Sequence, residues 1–126
     1  MGFVTVTGRL GRGAVTAREI QFLVDSGAFY TCIPPQLAAD IGLETPITTP
    51  VVLANQRRID VPIGVAYLVL DGREGGIAVA VMDVPMPLLG VSALEALGFK
   101  IDPVGGRLEP TRPFGPAVLT VVPLCL

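Results

Sequence analysis

Apolar positions in this chain fall in short alternating runs that glycine and proline interrupt every few residues, a rhythm that suits strands and turns rather than long helices. Residues 3–10 alternate loosely and end at Gly11-Arg12-Gly13, which predicts a strand running into a hairpin loop. Residues 18–24 form the return strand, with Ile20, Phe22 and Val24 on one face. A further short strand is expected over 29–33. Pro34-Pro35 then opens a helix over 36–41 that Gly42 stops, since proline suits the first turn and glycine the position past the last. The segment 45–50 reads as a proline-interrupted loop.

The second half continues in the same way. Residues 51–63 predict a long hairpin, with Val51 and Leu53 on one arm, Ile59, Val61 and Ile63 on the other, and a polar tip at Asn55-Gln56-Arg57-Arg58. A separate strand follows over 65–70, closed by the turn signal Asp71-Gly72. The near-continuous apolar run 77–82 is a strand. Leu88-Leu89-Gly90 leads into a helix over 91–97 that ends at Gly98, and 99–101 and 107–108 read as the last short strands of a core sheet. The apolar tail 117–126 reads as one more strand that the protein must cover. A weak internal repeat links 22–42 with 86–98: apolar strand, glycine-containing turn, short helix closed by glycine.

Composition narrows the chemistry. A length of 126 residues fits one domain with a modest core and is too short for two lobes. The net charge is −2 and Arg57-Arg58 is the only adjacent pair of basic residues, so the electrostatic footprint of nucleic-acid binding is missing. Histidine is absent, which removes Ser-His and Cys-His nucleophile pairs and the commonest metal ligand together. Cys32 and Cys125 are too few and too far apart for a disulfide framework or a zinc site and read as small apolar fillers. No run approaches the roughly 20 apolar residues of a membrane span, and no signal-peptide pattern follows Arg9 and Arg12, so a soluble, cytoplasmic protein is expected. No metal or cofactor is called for.

The chemistry that remains is that of carboxylates. Phe22-Leu23-Val24-Asp25-Ser26-Gly27-Ala28 drives an aspartate to the end of an apolar strand and follows it with a hydroxyl and a glycine. Burying an ionised carboxylate costs several kcal/mol unless it is paired or shares a proton. Asp25 is therefore either a turn former bonded to its own backbone or a group held for chemistry. Asp71, Asp83 and Asp102 sit beside glycine or proline and read as turn residues. Tyr30 and Tyr67 read as half-buried strand residues, and Gly11-Arg12-Gly13 as a turn, because no helix pattern follows it to complete a phosphate loop.

Asp-Ser-Gly-Ala after an apolar strand resembles the active-site signature of the retropepsin-like aspartic proteases, and the order of elements around it is similar to one lobe of such an enzyme over about 3–108. Leu88-Leu89-Gly90 resembles the family's second signature, and 53–59 occupies the place of its flap. The resemblance implies an all-β, closed-barrel domain with one or two short helices, one lobe per chain, acting as an aspartic endopeptidase. Because the chain has a single Asp-Ser-Gly, the second aspartate would come from a second copy, which implies a homodimer with the site on its two-fold axis. Two carboxylates sharing one proton can activate water and protonate the leaving amide without metal or covalent intermediate.

Roles implied by the resemblance follow residue by residue. Asp25 is the catalytic carboxylate, Ser26 braces the two active-site loops, Gly27 lets the backbone approach closely, and Ala28 offers the aspartate no hydroxyl. The flap is Leu53, Ala54, Asn55, Gln56, Arg57 and Arg58, bulkier and more charged at its tip than the glycine-rich flap of viral members. The pocket is expected to include Ala28, Leu53 and Val81. Val4 and Val6 with Val121 and Val122 are candidates for an interfacial sheet, with 117–126 at the interface and 1–126 a single domain. The partners implied are a second copy and a peptide or protein substrate. Two other readings stay open: a catalytically silent dimer of the same fold that binds extended peptides, and a purely structural oligomer suggested by the tail.

Overall fold

The computed structural model describes residues 3–114. The expected tail strand 117–126, with Val121, Val122 and Cys125, lies outside the described residues. Among the described residues nine strands and two short helices follow in the order β1 (Thr5–Gly11), β2 (Arg18–Val24), β3 (Thr31–Ile33), α1 (Pro35–Asp40), β4 (Ile47–Val52), β5 (Arg58–Leu70), β6 (Arg73–Val81), β7 (Leu88–Leu89), α2 (Val91–Leu97), β8 (Phe99–Asp102) and β9 (Arg107–Pro110). Seven strands form one sheet in the order β1-β2-β7-β3-β6-β5-β4. An added pairing of β1 with β5 closes six of them into a ring and leaves β4 at its side. Strands β8 and β9, expected as the last strands of a core sheet, instead pair only with each other in a separate hairpin. The fold is the all-β, retropepsin-like closed barrel.

The insertion of β7 matters most for the site. Two residues long, it lies parallel to β2, with Leu23 opposite Leu88 and Val24 opposite Leu89, and antiparallel to β3, with Cys32 opposite Leu88. Strands β2 and β3 are neighbours in sequence, but β7 fills the space between them, so the loop joining them must cross the end of β7. That loop is Asp25–Ala28 with Phe29 and Tyr30.

Two apolar clusters share the sheet. The larger contains Leu10, Phe22, Ile33, Leu68, Val79 and Leu89 and takes α2 through Ala93, Leu94 and Leu97. The smaller contains Cys32, Val61, Ile63 and Ala80, with Tyr30, Val51, Ile59, Met82, Val84 and Leu88 packed on it. This division corrects one expectation. The separate strands ending at 63 and starting at 65 are one continuous strand, β5, whose register with β6 runs unbroken from Ile63↔Ala80 to Leu70↔Arg73. Its buried positions are odd at Val61 and Ile63, facing the smaller cluster, and even at Ala66, Leu68 and Leu70, facing the larger. The alternation changes phase at Gly64 while the backbone does not break, so one strand mimics two in the sequence.

The segment 45–50 is also not a plain loop. From Ile47 it is the edge strand β4, and Pro50 is tolerated because an edge residue can lack a ladder donor. Strand β3 starts at Thr31 rather than 29, and β6 starts at Arg73 rather than 77. The Asp71-Gly72 turn is as expected: both residues have positive φ (48° and 76°), the geometry of a two-residue hairpin loop. Helix α2 ends on Gly98 in the left-handed conformation, φ 75°.

Candidate active site

Asp25 leaves the end of β2 with its backbone tied to β7, its N–H donating to the Leu89 carbonyl at 3.0 Å. Its carboxylate Oδ1 accepts the Gly27 N–H at 2.9 Å, and its carbonyl accepts the Ala28 N–H at 3.1 Å. This is the local bonding of an aspartate turn, and it fixes the carboxylate while leaving its other oxygen without a bond to a described residue. Ser26 is exposed at the tip of the same turn.

The far side of the loop is held by α2. The N–H groups of Val91 and Ser92 donate to the carbonyls of Ala28 (2.8 Å) and Phe29 (2.9 Å), and the Ser92 hydroxyl adds a second bond to Phe29 at 2.6 Å. Gly90 donates its N–H to Thr31 Oγ1 at 3.1 Å. Thr31 is fully buried and is the one buried polar side chain among the described residues. A Cβ on Gly90 would lie 2.7 Å from the Phe29 carbonyl oxygen and closer still to that of Tyr30. The glycine is required for this approach and not for its dihedrals, since φ −90° and ψ 169° are open to any residue.

A cleft of about 500 Å³ opens beside Asp25. The loop supplies Gly27, Ala28, Phe29 and Tyr30, the sheet supplies Cys32, Ala80, Met82, Val84 and Leu88, and the β4–β5 hairpin supplies Val51 to Ala54. Asp25 is the one carboxylate among the lining residues. Ala28 and Leu53 are at the cleft as expected. Val81 is not: it packs on the larger cluster, and its neighbours Ala80 and Met82 face the cleft instead. The period of a strand is two, so an error of one residue puts a side chain on the opposite face. Burial first, and then the nearby Asp25 charge, raise the Cys32 thiol above its ordinary range, so it stays protonated at neutral pH.

The β4–β5 hairpin closes at residues 53–57. The Leu53 N–H donates to the Arg57 carbonyl at 2.8 Å, the Gln56 N–H to the Leu53 carbonyl at 2.9 Å, and the Arg57 N–H to Asn55 Oδ1 at 3.0 Å. Gln56 sits at φ 69°, a left-handed position that costs a side-chain-bearing residue. Asp25, Ser26, Gly27 and Ala28 thus meet Leu88, Leu89 and Gly90 at one end of the sheet, with Leu53 and Ala54 along the cleft wall. Asn55, Gln56, Arg57 and Arg58 are exposed at the hairpin tip. The residues that sequence reasoning passed over are Thr31 and Ser92. Their hydroxyls bond to groups 59 and 63 residues away, contacts without a local pattern.

A single carboxylate on a loop pinned by an inserted Leu-Leu-Gly strand, beside a cleft walled by a hairpin, is the lobe of a retropepsin-like aspartic protease. The sequence model of the family described as gag-polyprotein putative aspartyl protease matches residues 12–96, more than half of the chain, and the chain belongs to that family. Among curated proteins none matches it. Among the described residues no helix is long and apolar enough to cross a membrane.

Proposed function

We propose that this protein is an aspartic endopeptidase that works as a homodimer, each protomer contributing its Asp25. The observation that carries the reading is the single fixed carboxylate beside a peptide-sized cleft. Amide hydrolysis needs one group to take a proton from water and another to give one to the departing nitrogen. One carboxylate cannot begin in both states, whereas two sharing a proton can. The ionised Asp25 takes a proton from water as the water oxygen bonds to the scissile carbonyl carbon and the C=O π pair moves onto the carbonyl oxygen, to return when the C–N bond breaks. The protonated Asp25 of the other copy then donates to the nitrogen as the C–N bond breaks. The dyad ends with one proton, as it began.

Exposed Ser26 on the turn and 61% exposed Phe29 just after it support a second copy covering this end of the barrel. Ser26 then braces the two loops, and the β4–β5 hairpin serves as the flap. The alternative is a silent peptide-binding dimer, favoured by the charged hairpin tip and by β4, an edge strand to which an extended peptide can add.

The test is hydrolysis of an unstructured protein substrate across pH by wild type and Asp25→Asn, with sedimentation of both at micromolar concentration. Activity should follow a bell with its maximum in the mildly acidic range, since below the lower apparent pKa of the dyad no base remains and above the higher no acid remains. Asp25→Asn should remain a folded dimer and lose at least about 10²- to 10⁴-fold in turnover. Undiminished activity in Asp25→Asn, or activity from a strict monomer, would overturn the mechanism. Peptide binding with no turnover in wild type would leave the silent module.

A further inference from the structure

The chain has nine basic side chains. Four of them, Arg12, Arg18, Lys100 and Arg107, pair with Glu44, Asp40, Glu109 and Asp102. Arg9 donates to the Ala17 carbonyl, and Arg73 and Arg112 donate to carbonyls at the C-terminal end of α2. Only Arg57 and Arg58 have no side-chain bond to a described residue, and they are adjacent at the tip of the hairpin that walls the cleft.

The two arginines differ in direction. Cross-strand partners present their side chains to the same face of a sheet. Val51 pairs with Ile59, and both pack on the cluster beneath the cleft. One step further along the same face, Leu53 lines the cleft and its backbone bonds to Arg57. Arg57 therefore stands on the cleft face of the tip. Arg58 pairs with Val52, which borders the cleft but is largely exposed and does not pack on the cluster beneath it, so Arg58 alternates to the other face of the hairpin. The cleft walls carry no cation and, apart from Asp25, no carboxylate. Apolar walls can sort peptides by shape but not by charge, and an unpaired guanidinium at their rim supplies the missing discrimination, since its planar fork matches a carboxylate.

We propose that Arg57 selects peptides that carry an Asp or Glu side chain just outside the apolar residues seated in the cleft. In the dimer each protomer brings its own Arg57, so the preference falls on both sides of the apolar centre. This deepens the protease reading and rests on the same cleft, but it does not require chemistry. An acidic peptide gains at the rim, and a lysine-bearing one is repelled by the same group.

The test uses labelled peptides with a Phe-Leu centre flanked by Glu, Gln or Lys. Their binding to full-length Asp25→Asn is read by fluorescence anisotropy, and their hydrolysis by wild type is followed separately. The Glu peptide should bind about two- to fivefold more tightly than the Gln peptide at low salt, and the Lys peptide more weakly than either. The preference should fade by about 0.5 M salt. Adding Arg57→Gln should abolish it, whereas adding Arg58→Gln should retain most of it. Equal binding of the three peptides, or equal loss in the two arginine variants, would overturn the proposal even if wild type hydrolyses all of them. A Glu preference without hydrolysis by wild type would uphold Arg57 and sink the protease reading instead.

Discussion

One wall of the cleft is the Asp25 loop, tied to β7 and α2 by bonds that span 59 and 63 residues of sequence at Thr31 and Ser92. The other is the β4–β5 hairpin, whose tip is closed by three bonds within residues 53–57. The first wall is fixed by the rest of the molecule and the second only by itself. The loop therefore holds its geometry for as long as the barrel is folded. The bonds that close the tip all lie within it, so its opening would break none of those that hold the loop, which suits the proposed admission of a peptide chain. Substitutions on the two sides should differ in size and in how far their effects spread.

The largest effect is expected at Gly90. A methyl group there meets the backbone carbonyls of Tyr30 and Phe29; the Phe29 carbonyl cannot retreat without breaking the two bonds it accepts from Ser92, and the Tyr30 carbonyl, the nearer of the two, follows it directly in the same loop. Gly90→Ala should cost about 2–4 kcal/mol, near the upper end for overpacking, because the obstruction is backbone and not a side chain that can turn away. Urea unfolding checks it. A change below about 0.5 kcal/mol would mean that the loop is not held as tightly as its bonds imply.

Thr31 comes next. Thr31→Val keeps the volume and removes the acceptor for the Gly90 N–H in a buried site, which costs about 1–3 kcal/mol. Thr31→Ser retains the hydroxyl and should recover most of that loss apart from the missing methyl. The exchange rate of the Gly90 amide reports the bond directly: faster in the valine variant, near wild type in the serine variant. If valine and serine destabilise equally, the role of Thr31 is packing and not hydrogen bonding.

The same contrast sets what could be read from the sequence. The hairpin tip, the Asp71-Gly72 turn and the glycine-capped helix α2 were all visible because their determinants lie within a few residues of one another. Strand β2 and the Asp25 turn were visible for the same reason. Thr31 and Ser92 were not, since nothing near them in sequence marks their partners. The phase change at Gly64 misled in another way. It belongs to the path of one strand across two clusters, and a strand that changes its buried face reads as two strands. Val81 was misplaced by a single register step, the smallest error that reverses a side chain. Pro50 hid an edge strand because an edge tolerates what a central strand does not.

The smallest effect is expected at the hairpin tip, and there it should be confined. Gln56 pays for a left-handed backbone at φ 69°, which Gln56→Gly relieves, while glycine also gives the unfolded chain more freedom to lose. The two contributions are each about 0.5–1 kcal/mol and opposite in sign, so global stability should stay within about 0.5 kcal/mol of wild type. Local opening is a separate matter, because three short bonds are all that close the tip. Amide exchange at Leu53, Gln56 and Arg57 should therefore quicken in the glycine variant, while the amides of Gly27, Ala28 and Gly90 keep their rates. If exchange rises in both groups, the two walls are coupled through the barrel and the tip is not an independent element. If global stability falls by more than about 1 kcal/mol, side-chain contacts of Gln56 anchor the tip beyond what its backbone bonds provide.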